Sequence, residues 1–189
     1  MRRLRTVPPL AIATLIACSV AGCLPLDPAP LPTIAATGTP LFSSDEEALA
    51  AAEEAYAAYL AVSGQILNEG GADPERIDAV ATPEIAAIEK AGYLDLANAG
   101  LRTVGRTTFF GTVLQRFEAE PASGRDVVTV YLCSDVSGVD VLDAGGNSVV
   151  SPDRPPLTAF EVAFDLADGS FVTLVVSREE PWSDSGVCE

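Results

Sequence analysis

Leu157-Thr-Ala-Phe-Glu-Val-Ala-Phe-Asp-Leu166, then Ala167-Asp168-Gly169-Ser170, then Phe171-Val-Thr-Leu-Val-Val-Ser177: this stretch decides the fold. Apolar and polar residues alternate on both arms, the period of a half-buried strand. Asp168-Gly169 between them is a hairpin signal, because glycine takes the positive φ that matches the twist of the flanking strands. The pattern predicts two antiparallel strands, 157–166 and 171–177. Upstream, Pro152, Pro155 and Pro156 mark a loop, and Asp143-Ala-Gly-Gly-Asn147 reads as a tight turn between short extended pieces at 139–142 and 147–150. Residues 127–133 are a nearly continuous run of β-formers, and 101–118 is rich in threonine, phenylalanine and valine, with Ser123-Gly124 in the turn between them.

Before Gly100 the period changes. Ser44 followed by Glu47 is a capping-box pattern, and Asp45, Glu46 and Glu47 place negative charge where the helix dipole favours it. Leu49, Ala52, Tyr56, Tyr59, Leu60, Ser63 and Leu67 recur at threes and fours, predicting one long helix that stops at Gly70-Gly71. Asp73-Pro74-Glu75 and Thr82-Pro83-Glu84 each join a cap, a proline at the first helical position and an acid. They predict a short helix over 75–80 and a longer one over 83–98. Helices first and antiparallel strands afterwards give an α+β class, with N-terminal helices packed on one face of a curved antiparallel sheet. Residues 43–189 have the length of one domain.

The segment ahead of the domain has a different character. Prolines at 25, 28, 30, 32 and 40 obstruct helix and sheet pairing, so residues 23–42 read as an extended tether rising about 3.1 Å per residue. Before it, Arg2, Arg3 and Arg5 precede an apolar run over 7–20 that closes on Val20-Ala21-Gly22-Cys23. A basic start, an apolar middle and small residues before a cysteine make 1–22 a secretory signal of the lipobox kind. This predicts cleavage before Cys23 and lipid on its thiol, acyl chains such as palmitate included. A spanning helix needs about 20 apolar residues, and Pro8 and Pro9 interrupt this run. Leu15-Ile16-Ala17-Cys18 fits a looser lipobox, but Ala-Gly meets the demand for small side chains better than Ile-Ala.

Of the four cysteines, cleavage removes Cys18 and lipid occupies Cys23. Cys133 and Cys188 remain, an even number whose expected state outside the cytoplasm is one disulfide; two free thiols are the alternative. The whole chain has 11 basic and 27 acidic residues; the leader removes three arginines and no acids, leaving eight against 27, a formal charge of −19. So acidic a body offers no footprint for a phosphate backbone, which excludes nucleic acid. It is repelled by anionic headgroups, so the expected membrane attachment is the lipid on Cys23. The expected location is the extracytoplasmic face of a cell membrane.

The order of a long helix, two shorter helices and a run of antiparallel strands resembles the cone-shaped nuclear transport factor 2-like superfamily. The ending, Pro181-Trp182-Ser183 with Cys188 close behind, paired with Tyr131-Leu132-Cys133-Ser134-Asp135, resembles a group of actinobacterial lipoproteins. The second resemblance implies an envelope location and supports the disulfide; it brings no catalytic residues. The first implies a comparison with isomerases and cyclases, which use a carboxylate base in an apolar pocket with a tyrosine or second acid as donor. Here the base would be Asp135 or Glu161 and the donor Tyr131 or Tyr56. Each has a plainer reading: Asp135 ends a strand, Glu161 faces solvent on alternate pleats, and the tyrosines are core-edge aromatics.

Other chemistry lacks its residues. The chain has no histidine, hence no histidine-based triad or metal ligand, and no cofactor or metal is implied. Lys90, the sole lysine, follows Glu89 on a helix and reads as surface charge. The oxygen-rich 140–147 stretch lacks the ordered spacing of a calcium loop and reads as a turn. The expectation is a non-catalytic binding domain in the cell envelope. Its ligand is either a small apolar molecule lined by Phe109, Phe117, Tyr131, Phe160 and Phe164, or another envelope protein on the open face of the sheet. An enclosed apolar cavity would favour the first, and a filled interior with an exposed apolar patch the second.

Overall fold

In the computed structural model, which describes residues 40–183 and 185–189, the chain from Pro40 onward is an α+β unit. The leader, Cys18, Cys23 and the tether as far as residue 39 lie outside the described residues. Helix α1 spans Asp45–Asn68, a 3-10 helix Pro74–Ala79, and helix α2 Pro83–Asn98. Strands β1 Arg102–Val104 and β4 Asp140–Leu142 form a small two-stranded sheet. Strands β2 Thr108–Phe117, β3 Val128–Asp135, β5 Leu157–Leu166 and β6 Leu174–Pro181 form the main antiparallel sheet in the order β2-β3-β5-β6. A last 3-10 helix covers Ser185–Cys188.

The helix starts follow from their caps. Ser44 Oγ accepts the Glu47 N–H at 3.2 Å, and Glu47 Oε2 reaches back to the N–H of Ser43, not Ser44, at 2.7 Å. Asp73 sits at φ 48° with no side-chain cap, and the short second helix that follows it is of the 3-10 kind. Thr82 does not cap α2 with its side chain either. Its N–H donates to the Val176 carbonyl at 2.8 Å, tying the α2 entry to the edge of β6. No helix among the described residues is long and apolar enough to cross a membrane.

The core lies between α1 and one sheet face. Ala48, Ala52, Tyr56, Tyr59, Ser63 and Ile66 are the buried stripe of α1. Facing them are Val128, Val130 and Leu132 of β3 and, in register, Phe164, Val162 and Phe160 of β5. Tyr93 and Ala86 of α2 and Ile77 close the layer. Leu41 and Phe42, which the proline spacing places in the tether, belong to this packed unit. Phe42 is buried edge-on against Phe117, and the Leu41 N–H donates to the Ala119 carbonyl at 2.8 Å.

β3 is buried on both faces along most of its length, as its continuous run of β-formers implies. The second cover is the C-terminal turn, bonded to the middle of the sheet by a disulfide between Cys133 and Cys188. Gly111 lies in the β2 bulge beneath that turn at φ 64°, and a Cβ there would stand 2.3 Å from the Val187 carbonyl oxygen. Glycine is required by both backbone and neighbour.

Strand boundaries are sharper than the sequence pattern. The 101–118 run forms two strands, β1 and β2, divided at Gly105. The 139–142 piece pairs with β1 and, through the expected turn, also with 147–150: Leu142 bridges Ser148, the Val149 N–H donates to the Val141 carbonyl at 2.9 Å, and the Ser148 hydroxyl donates to Asp140 at 2.6 Å. The last hairpin has a longer connection than Asp168-Gly169 alone, since β6 begins at Leu174 and leaves Phe171 and Val172 in the loop.

The disulfide closes 55 residues of chain. Cys188→Ser is therefore expected to lower the unfolding free energy by about 4 kcal/mol, the chain-entropy value for such a loop. Denaturant titration with and without reductant measures it. A wild-type loss on reduction below about 1 kcal/mol would mean that packing alone holds the turn.

Candidate functional site

The sheet distributes the eight sequence candidates over its two faces. Tyr56, Phe109, Phe117, Phe160 and Phe164 lie on the helix side and are packed into the core or against it. Tyr56 and Phe109 meet edge to face at 5.0 Å. Tyr131, Asp135 and Glu161 lie on the other side, in alternation with Val130, Leu132 and Val162. Asp135 ends β3 and accepts the Ser137 N–H at 2.8 Å; the Ser137 hydroxyl first and this N–H second hold its carboxyl below the usual range. Glu161 accepts a bond from Arg178 at 3.0 Å, and Arg178 also reaches Asp126 at 3.2 Å. In the 140–147 stretch, Asp143 Oδ1 accepts the N–H groups of Gly145 and Asn147, both at 2.8 Å, forming a turn.

The helix side contains a group of acids and hydroxyls of which sequence reasoning singled out Tyr56 alone as a site candidate. The β5–β6 pairing shifts register between Ala163 and Phe164, and beyond the shift Glu179 stands opposite Val162, on the core face. The Tyr56 hydroxyl donates to Glu179 Oε1 at 2.7 Å. The Tyr59 hydroxyl donates to Glu89 Oε1 at 2.8 Å and lies 3.4 Å from Glu179 Oε2. One hydroxyl proton thus serves two carboxylates, each on a different element. Tyr93 donates to Ser63 at 2.9 Å beside them.

Burial raises the Glu179 pKa above the usual carboxylate range; the tyrosine bonds oppose this and the Glu89 charge adds to it. Tyr56 and Tyr59 are pushed above the usual phenol range, first by burial and then by the Glu179 charge. Such a carboxyl is chemically capable of proton transfer. The larger clefts, however, are lined by other side chains: one along Ala57, Leu60, Ala61 and Gly64 of α1, another by Thr82, Pro83 and Asp165.

The opposite sheet face is open beyond the C-terminal turn. Tyr131 packs against Trp182 with ring centroids 4.6 Å apart. Val113 stands opposite Tyr131 and Phe110 opposite Cys133, on the same face. Phe110 is 41%, Val113 52% and Trp182 41% exposed, a contiguous apolar area that the fold leaves in water. Glu161 and Glu180 face one another directly at its side.

Tyr56→Phe removes the donor to a buried carboxylate, with an expected loss of about 1–3 kcal/mol at neutral pH. The deficit should shrink on acidification, because protonated Glu179 no longer needs that donor. In wild type, a folded pKa raised above the unfolded value makes the Glu179 contribution full below that unfolded value and lost as pH rises through the folded one. Glu179→Gln should remove this part of the pH dependence. Denaturation midpoints across the acid range measure both effects, and a Tyr56→Phe loss that is the same at all pH values would contradict the assignment.

No family model and no curated protein matches the chain. Among solved structures it is similar to the intermembrane-space region of the chloroplast protein ARC6, at a TM-score of 0.52 and 10% identity, over 72% of this chain and 97% of that one. A de novo designed β-sheet protein also matches at a TM-score of 0.30 and 16% identity, over 76% of this chain and 94% of that one, too weak a likeness to argue from. The similarity to the ARC6 region lies in the α+β fold alone.

Proposed function

We propose that this chain is a lipid-anchored, extracytoplasmic domain that binds a protein partner through the open face of its sheet. The observation that carries the reading is the contrast between the faces. On the helix side, large side chains such as Tyr56, Tyr93, Phe164 and Ile66 are fully buried and fill the interior, the place a small apolar ligand would need. On the other side, Phe110, Val113 and the Tyr131–Trp182 pair present apolar area to water. Aromatic residues of this kind are typical anchors at protein interfaces.

Charge defines the partner further. Glu180 borders the patch beside Glu161, whose charge is paired with Arg178, and the body is strongly acidic, so the net charge favours a complementary surface with an apolar centre and basic residues at its rim. The disulfide supports an oxidising compartment. The anchor rests on the Val20-Ala21-Gly22-Cys23 motif, and the nuclear transport factor 2-like reading on the order of helices and strands. The isomerase-like alternative gains one observation, the Glu179–Tyr56 pair at 2.7 Å, and would require substrate access between α1 and β6.

A photo-crosslinking residue at Val113, expressed in intact cells, tests the interface against the same residue at Glu53 on the exposed side of α1. The expected result is a discrete adduct from Val113 only, reduced about tenfold by Phe110→Ser, a residue of hot-spot type. Equal adducts from both positions, or none from Val113, would overturn it. Mass measurement of the native protein tests the anchor: an acyl adduct on Cys23 is expected, and lipid on Cys18 or none would contradict it.

A further inference from the structure

The β5–β6 connection departs from its sequence pattern in a way that leads to a second surface. Alternation places Phe171 and Val172 in a strand, yet they stand in the loop, 85% and 72% exposed. Their loop is tied down from within. The Ala167 N–H donates to the Thr173 carbonyl at 2.8 Å, and Ser170 Oγ accepts the N–H groups of Val172 and Thr173 at 3.2 and 2.8 Å. The turn thus satisfies its backbone locally while presenting two large apolar side chains outward.

The surroundings say what the tip faces. Phe171 and Val172 line an open, mainly apolar cleft of about 480 Å³ together with Leu166, Pro121, Leu41 and Pro40. Pro40 is where the described chain begins. Pro40, the described residue nearest to Cys23 in sequence, therefore lines the same cleft as the tip. About 17 residues separate Cys23 from Pro40, a reach of roughly 50 Å when extended. A tether this short keeps the tip at high effective concentration near whatever holds Cys23, so a weak apolar contact becomes populated. Glu120 lines the cleft and Asp168 lies in the loop, which disfavours an anionic surface.

We infer that the Phe171–Val172 tip is a membrane-contact element, inserting at the headgroup–acyl boundary of an uncharged region of the bilayer and turning the tether end of the domain toward it. This rests on the anchor reading above for its setting. Trp182 follows the far end of β6 from this loop, about 25 Å away at the rise of a strand. The Trp182 end of the apolar sheet face is therefore held away from the lipid.

The test uses the chain from Cys23 onward carrying Phe171→Trp and Trp182→Phe, its Cys23 thiol coupled to a maleimide lipid in phosphatidylcholine vesicles. Coupling replaces native lipidation, so the tip is tested whether or not the cell acylates Cys23; acylation is measured separately on the native protein. The expected result is emission at shorter wavelength than in buffer, quenched about twofold or more when the acyl chains are brominated. Chains with the native Phe171 and Trp182 should show no such quenching. Emission unchanged from buffer would overturn the proposal. A short-wavelength emission in buffer alone would also overturn it, assigning the cleft to the upstream segment if independent of protein concentration and to a second copy if not. Absence of native acylation with quenching in the coupled chain would uphold the tip and remove the anchor reading.

Discussion

A four-stranded antiparallel sheet has two faces, and this chain provides helices for one. Everything else in the domain answers that constraint. α1 and α2 cover the face formed by Val130, Leu132, Val162 and Phe164, where burial of each large apolar side chain stabilises by about 1.5–3 kcal/mol. Over the other face, the described residues place the C-terminal turn. Its residues return across the sheet as a single 3-10 turn, bonded to Cys133 and seated on Gly111. A turn this short has little apolar area with which to hold itself down. The covalent bond substitutes for packing, and the strip beyond its reach, from Val113 to Tyr131, stays open.

The same constraint explains why the covered face tolerates acids. Beyond Leu174 and Val176, simple alternation would direct Arg178 and Glu180 into the core. The register shift in the β5–β6 ladder instead turns Arg178 and Glu180 outward and Glu179 inward, exchanging two buried charges for one. Glu179 is then accommodated by the hydroxyl ends of Tyr56 and Tyr59, aromatics that α1 already contributes to the core. Outside, Arg178 joins Glu161 and Asp126 in an ion-pair cluster. One bulge therefore separates the charges that can be solvated from the one that must be hydrogen-bonded.

That bulge also marks where the sequence stopped being informative. The α1 stripe, its Ser44 cap and the existence of the last hairpin were legible because periodicity and caps are local properties. Ser177-Arg178-Glu179-Glu180 reads as a charged strand exit, since nothing in a single chain announces a register shift. Glu89 and Tyr59 were likewise invisible as partners, being 30 residues apart and joined only when α2 packs beside α1. Phe171 and Val172 failed for another reason. Their pattern fits a strand well, yet their stretch is bonded to Ser170 and the ladder begins at Leu174. The Cys133–Cys188 pairing was accessible because counting cysteines needs no geometry.

An exposed apolar strip on a sheet is an aggregation hazard, and the chain carries two countermeasures that do not interfere with a heterologous partner. The outer strand, β2, is interrupted by two register shifts against β3, which twist its free edge away from flat pairing with another copy. The body is also strongly acidic, and self-association must bring like charges together while a basic-rimmed partner need not. On the interface proposed above, acidity would have a use beyond solubility: like charge opposes self-association of the apolar strip, and a basic-rimmed partner meets no such opposition.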